Sequence, residues 1–254
     1  ESSYRDAIKH KPDFVEAHYN LGLLIARIGN LKEAESSYRD AIKHKPDFVE
    51  AYLNLGNTLK TFGKLEEAEA IFLQAIEIKQ DYVEAYNNLG ITLERLNKTK
   101  AAEDILTKAI TIKPDYFLSH NNLGNVLKNL GKIKEAKASF KKAIELNPNY
   151  SEAHRHLSQL KSFKTKDKQF SLMLELYRNK TISKEELCHV NFGLAKAFED
   201  IGDFAEAFKH FSEGNLLRKE LLGYDIEKDI ELFNQIESSY SQIKENSIQI
   251  ANNT

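Results

Sequence analysis

From residue 15 to residue 150 the apolar residues fall into two alternating sets, and both sets return every 34 residues. The first set centres on a Leu-Gly pair: Leu21-Gly22, Leu55-Gly56, Leu89-Gly90 and Leu123-Gly124. The second runs small, large, small: Ala34/Tyr38/Ala41, Ala68/Phe72/Ala75, Ala102/Leu106/Ala109 and Ala136/Phe140/Ala143. Spacings of four and three place each triplet on one face of a helix. The pattern predicts four full repeats, 15–48, 49–82, 83–116 and 117–150, each made of a helix A and a helix B joined by a short turn. One period sustained over most of a chain means stacked helix pairs, an all-α solenoid in which each repeat buries its apolar face against its neighbours.

The punctuation agrees with this register. Gly29, Gly63, Asn97 and Gly131 follow helix A, where a left-handed cap requires Gly or Asn. Glycine inside helix A costs about 1 kcal/mol relative to alanine, so Gly22, Gly56, Gly90 and Gly124 predict a close approach of helix B, small residues on one helix meeting large ones on the other. Pro12-Asp13, Pro46-Asp47, Pro114-Asp115 and Pro148-Asn149 close the repeats, with Gln80-Asp81 in the remaining place. The segments Asp13-Phe14-Val15-Glu16, Asp47-Phe48-Val49-Glu50, Asp81-Tyr82-Val83-Glu84 and Asn149-Tyr150-Ser151-Glu152 have the spacing of a capping box. Asp115-Tyr116-Phe117-Leu118 lacks the closing Glu.

Residues 1–14 are identical to residues 35–48. The chain therefore begins in mid-repeat, and we expect a fragment with at least one helix upstream. The half-repeat 1–14 would leave one side of a helix B uncovered, to fray or to pair with another molecule.

Composition narrows the class. Of 254 residues, 41% are hydrophobic and 29% charged, an ordinary soluble mixture. A formal net charge of −2 leaves no basic excess for nucleic acid. No stretch approaches the roughly 18 apolar residues of a membrane span. Cys188 stands alone, which fits a reducing compartment, and we expect a cytoplasmic protein. Glycine-rich phosphate loops, Walker motifs and nucleophile elbows are missing from the sequence, so no catalytic motif and no cofactor is expected.

The Leu-Gly, Ala-aromatic-Ala and Pro-Asp positions over 1–150 resemble the tetratricopeptide repeat. The resemblance implies a right-handed superhelix whose inner face is lined by the A helices, and a scaffold that binds a protein or peptide there. Helix position 4 departs from the family's frequent Trp, carrying His18, Tyr52, Tyr86 and His120. The family's basic clamp for C-terminal carboxylates is not expected. It needs Lys at positions 2 and 5, where this chain has Glu16, Glu50 and Glu84 and then Tyr19, Leu53, Asn87 and Asn121. The glutamates fit the capping role better than a binding role.

Position 6 holds Asn20, Asn54, Asn88 and Asn122. Asn is a mediocre helix former, and neither packing nor capping gives a reason for it here. Adjacent helices lie about 8–10 Å apart and an extended peptide advances about 3.3 Å per residue, so one asparagine would meet every third residue. Each amide both donates to and accepts from a backbone. The repeat domain of O-GlcNAc transferase, which these A helices resemble, is arranged in this way. Duplication of a unit that happened to carry Asn yields the same row. Asn57 and Asn125 at position 9, Asn87 and Asn121 at position 5 and Arg27 and Arg95 at position 13 are further inner-face candidates, most of them expected as solvated polar surface; Asn57, Asn125, Arg27 and Arg95 complete the candidate peptide-binding set. His156 ends the row.

After residue 150 the period weakens, and 151–254 reads as a degenerate helical cap. Residues 151–163 still follow helix A; Lys161–Lys168 is basic and polar; Phe170–Tyr177 predicts a short buried helix; a repeat-like unit returns near 188–221. A Gly-Tyr-Asp turn at 223–225 leads to an amphipathic helix near 226–243, marked by Leu232, Phe233 and Ile236. His154-Arg155-His156-Leu157-Ser158, Leu194 to Phe204, Glu206-Ala207-Phe208, Gly214-Asn215 and Tyr224-Asp225 resemble the region preceding the catalytic domain of bacterial tetratricopeptide-repeat sulfotransferases. That resemblance implies a larger parent protein. A glycosyltransferase partner domain is the alternative.

Three further groups have plain expectations. His154 and His156 lie two apart and point apart on a helix, so no metal site is expected. Cys188 reads as a structural thiol, and Glu199-Asp200 with Asp203 as a solvated acidic turn.

Overall fold

A computed structural model describes residues 1–239 apart from 228, 232 and 238. It divides into two compact units, Glu1–Lys161 and a second beginning at Ser162. No strand occurs among the described residues.

In the first unit α1 (Ser2–His10) is the half-repeat, and the full repeats follow as pairs. These are α2 (Val15–Ile28) with α3 (Leu31–His44), α4 (Val49–Thr61) with α5 (Leu65–Ile78), α6 (Val83–Arg95) with α7 (Thr99–Ile112), and α8 (Phe117–Asn129) with α9 (Ile133–Leu146). Helix α10 (Ser151–Leu160) packs on α9 and belongs to this unit, so the division falls after Lys161 and not after residue 150. Helix α1 packs against α2, with Ile8 on the core, although none of its residues is fully buried.

The small-large alternation is the core. A Cβ added to Gly56 would stand 2.5 Å from the Phe72 ring, and one on Gly22 2.7 Å from Tyr38; Leu106 and Phe140 fill the same place opposite Gly90 and Gly124. Tyr38, Phe72, Leu106 and Phe140 are sealed between their flanking alanines. The helix A caps are left-handed as expected, with φ of 91°, 83° and 74° at Gly29, Gly63 and Gly131, and 59° at Asn97.

The predicted capping boxes are not formed. The residues preceding the A helices are Phe14, Phe48, Tyr82, Tyr116 and Tyr150, none of which caps with its side chain. The Asp lies one residue too early to serve, which removes the capping role from Glu16, Glu50 and Glu84; they remain as acidic residues of the first turn. A different device joins turn to helix. His18 Nε2, Tyr52 Oη, His120 Nε2 and His154 Nε2 each bond the carbonyl of the Pro six residues earlier, at 2.8, 3.1, 2.8 and 2.9 Å. Position 4 thus satisfies a carbonyl in the preceding turn, a use for which His and Tyr carry the needed donor.

Successive repeats are also tied on the B side by a periodic ion pair. Lys64, Lys98 and Lys132 reach Glu35, Glu69 and Glu103 of the preceding repeat at 3.0, 2.7 and 2.6 Å. The lysines of these pairs are at least a third exposed while the glutamates are largely covered, so each pair contributes about 1 kcal/mol or less.

The second unit contains α11 (Lys168–Arg178), α12 (Lys184–Asp200) and α13 (Phe204–Leu222). Phe163, Phe170, Met173, Val190, Leu194 and Phe198 form its core. A true capping box, Ser183 with Glu186, opens α12. Cys188 is buried, its thiol 3.5 Å from the Gly214 carbonyl. The acidic turn is not simply solvated. Asp200 accepts from the Phe163 backbone N–H at 3.1 Å and pairs with Lys196, and Asp203 caps α13. Burial pushes the Asp200 carboxyl up, but Lys196 and the Phe163 N–H outweigh it and hold the group below its usual range. Beyond Gly223 the described positions of 226–239 are helical. Phe233 and Ile236 of the expected apolar stripe are exposed, whereas Leu232 and residues 240–243 lie outside the described residues.

His210 gives this unit a pH dependence. Its ring is buried, stacked on Phe198, with Nδ1 2.7 Å from Asn191 Oδ1. Burial pushes the imidazole below its ordinary value, opposed by Glu213 and Glu206 and assisted by Lys209. The unfolded chain therefore binds the proton more readily, near pH 6.5. Stability from neutral His210 is full above that pH and is lost as pH falls through the lower folded value. Urea midpoints for the second unit should drop between pH 8 and pH 5.5, and His210→Gln should shrink the drop. An equal drop in both proteins would contradict this.

Candidate functional site

Within the first unit, α2 touches α4, α4 touches α6 and α6 touches α8, while successive B helices approach one another less closely. The A helices therefore occupy the inside of the curve. On each of them positions 6, 9 and 13 are separated by three and four residues and share a face.

The structure brings the asparagine row together on that inner face and shows how each amide is used. Asn54 Nδ2 donates to Tyr19 Oη at 2.9 Å and to the Glu50 carbonyl at 3.0 Å. Asn88 Nδ2 donates to the Glu84 carbonyl at 2.9 Å, and its Oδ1 accepts from Lys60 Nζ at 2.6 Å. Asn122 Nδ2 donates to Asn87 Oδ1 at 2.9 Å. Packing thus does have a use for position 6, since Asn54 and Asn122 bond the preceding repeat. Donors are largely occupied, as is the Asn88 oxygen, but among the described residues the side-chain oxygens of Asn54 and Asn122 receive no bond and the half-buried Asn20 amide makes none.

Position 9 behaves similarly. Asn57 Oδ1 is buried without a hydrogen-bond partner, and Asn125 is half-buried. Asn54 and Asn57, with Arg27, Thr58 and Thr61, wall an open cleft of about 360 Å³ between α2 and α4, floored by Leu23, Ala26, Leu31 and Tyr38. Arg27 and Arg95 are exposed, and Arg95 donates to the Lys60 carbonyl at 2.9 Å.

Asn87 and Asn121 are not solvated surface. Asn87 Oδ1 accepts from Ser119 at 3.1 Å as well as from Asn122, and Asn121 Oδ1 meets His156 Nδ1 at 3.2 Å. Both are buried bridges between repeats, and His156, where the row ends, is buried on the next helix against Asn121 and the Phe140 ring. Their burial depends on contacts about 35 residues away, which helix periodicity does not reveal.

Lys60, at position 12, was not among the sequence candidates. Its ammonium reaches Asn88 and lies 5.8 Å from the centre of the Phe72 ring. Burial, and then the nearby Arg95, lower its pKa to about 8. At the other end of these helices, the Tyr82 hydroxyl, just before α6, is pushed up to about 12 by burial and by Glu50 and Glu84. Among the described residues no group of three or more His, Cys, Asp or Glu side chains is placed to hold a metal, and no helix is long and apolar enough to cross a membrane.

Comparison with known proteins agrees with this architecture. Tetratricopeptide repeat models match residues 1–47, 47–115 and 117–150. No curated protein sequence matches the chain. Among solved structures, the chain is similar to YrrB, described as a TPR protein with an unusual peptide-binding site, at 19% identity and a TM-score of 0.54, covering 82% of this chain and 97% of that one. It is similar to Pseudomonas aeruginosa PilF at 22% identity and a TM-score of 0.60, covering 87% and 97%. A chain of the APC/C hetero-tetramer Cut9–Hcn1 gives 16% identity and a TM-score of 0.67, covering 84% of this chain and 42% of that one. At these identities the likeness concerns the fold. With matched repeats running from residue 1 to residue 150, the chain belongs to the tetratricopeptide repeat family.

Proposed function

We propose that this chain is a recognition scaffold that binds an extended peptide along the inner face of its A helices, with Asn20, Asn54, Asn88 and Asn122 contacting the peptide backbone and Asn57, Asn125, Arg27 and Arg95 flanking it. The observation that carries this reading is the set of unspent acceptors on that face, the side-chain oxygens of Asn20, Asn54 and Asn122. Each can accept a peptide N–H, and a neutral hydrogen bond of this kind contributes about 0.5–1.5 kcal/mol. Backbone contacts confer affinity with little dependence on sequence. YrrB, similar in fold, is described as peptide-binding.

The experiment is an N-methyl scan. A 12-residue peptide selected on this chain from a random display library is resynthesised with each backbone N–H methylated in turn. Affinity should fall at about every third position, matching the rise per residue against the helix spacing. Uniform tolerance of N-methylation would remove the backbone-binding reading.

The finer identity is also a proposal. Residues 154–225 favour a parent sulfotransferase, on sequence resemblance alone. The coding sequence downstream of Thr254 tests it: a phosphosulfate-binding loop supports it, and another domain replaces it, a glycosyltransferase being the alternative.

A further inference from the structure

Four cations on the B-helix side of the first unit and two on its inner side have different partners. On the B-helix side, Arg39, Lys64, Lys98 and Lys132 each hold a carboxylate of a neighbouring helix. On the inner side Lys60 and Arg95 do not: the bonds of Lys60 go to the Asn88 amide, and Arg95 bonds the Lys60 carbonyl at the end of α4. The nearest acidic side chain in sequence, Glu94, accepts instead from Asn129 at 2.7 Å. Glu50 and Glu84 belong to the first turns of α4 and α6, at the opposite helix ends.

Arg95 is thus held on the backbone of Lys60 itself, while the Lys60 side chain reaches the row at Asn88. A helix C-terminus favours a cation, yet here burial and mutual repulsion win, since Lys60 is more easily deprotonated than a free lysine. An anion placed between the two groups would reverse that balance, and guanidinium with ammonium provides donors for both oxygens of a carboxylate.

We propose that Lys60 and Arg95 form a specificity pocket for an acidic side chain, Asp or Glu, in the middle of the bound peptide. The position in the array selects a side chain over a chain terminus. Lys60 and Arg95 lie on α4 and α6, the two central A helices of the four that carry the row. A terminal carboxylate bound there would end the peptide halfway along and leave half of the asparagines without a partner. An internal Asp or Glu lets the backbone continue to Asn20 in one direction and to Asn122 in the other.

This inference rests on the groove-binding reading, and the test separates the two. Random 12-residue peptides are selected in parallel on the full chain and on Lys60→Met/Arg95→Gln. Selection on the natural chain should fix an Asp or Glu at one internal register, and selection on the variant should not. Replacing that acid by its amide should weaken binding to the natural chain by about tenfold or more and by less than about twofold to the variant, while amidating the peptide C-terminus should change neither. Helicity and thermal midpoints of the two proteins are compared to establish that the variant is folded; if it is not, the acid-to-amide and C-terminal amidation comparisons on the natural chain decide. Peptides selected without a fixed acid, or an acid effect that survives in the folded variant, overturn the pocket and leave groove binding standing. Dependence on the free C-terminus overturns it in favour of a terminal carboxylate. Failure to select any peptide overturns both.

Discussion

Phe72→Ala should destabilise the repeat array by about 3–5 kcal/mol. Phe72 is fully buried, held between Ala68 and Ala75 on its own helix and against Gly56, where even one added carbon would collide with its ring. Leu55, Leu59 and Leu89 belong to the same core, so the lost ring opens a cavity shared by two repeats. Helices held by packing against Gly56 have little freedom to collapse into that space, which places the cost towards the upper end for such truncations. Stability in a stacked array is a sum of repeat and interface contributions, and Phe72 serves both, so the loss should lower the urea midpoint and also broaden the transition as repeats uncouple. Leu73→Ala, one residue along and exposed, is the control and should change stability by less than about 0.5 kcal/mol. Equal effects from the two substitutions would contradict the assigned helix register.

That register was legible because it depends on local spacing alone. The Leu-Gly and Ala-aromatic-Ala sets recur without a gap, and each member has one steric task, visible as soon as the period is recognised. The left-handed caps at Gly29, Asn97 and their equivalents follow from residue type for the same reason. The capping boxes fail because Asp-x-x-Glu has the correct spacing but begins one residue early: the helix starts after Phe48, not after Asp47. The position-4 bond to a proline carbonyl and the Lys64–Glu35 type of ion pair are equally periodic in the sequence, but their meaning appears only when the turn and the next repeat are in place.

The candidate site was legible in outline and not in detail. Asn at position 6 stood out as polar, periodic and unexplained by packing. Which of its atoms remain available depends on side chains one repeat away, such as Tyr19 for Asn54 and Asn87 for Asn122. Asn87 and Asn121 look equivalent to Asn88 and Asn122 in the sequence, yet one step around the helix, about 100°, turns them from the groove into the interface between repeats. Lys60 is not legible in the sequence because it sits off the shared face and joins the row only through the length of its side chain.

The second large effect concerns binding. Asn54→Ala/Asn88→Ala/Asn122→Ala removes three of the four row amides together. A neutral hydrogen bond to a peptide contributes about 1 kcal/mol, so three should amount to about 3 kcal/mol, or roughly a hundredfold in Kd. The same substitutions remove the bonds from Asn54 to Tyr19 and from Asn122 to Asn87, at about 1 kcal/mol of stability each, and the charged bond from Lys60 to Asn88, at about 1.5–3 kcal/mol. Asn87 keeps Ser119 as a donor, and the buried aromatic and alanine core is untouched, so the variant should remain folded at 25 °C with its helicity intact. Alanine is also the better helix former at all three positions, which offsets part of the loss.

The measurement is a titration of the selected 12-residue peptide into the natural chain and the triple variant, with circular dichroism on the same samples. The account predicts undiminished helicity and a Kd about a hundredfold weaker. An unchanged Kd in a variant of undiminished helicity would contradict it, and would leave the asparagine row as a product of duplication and inter-repeat bonding alone.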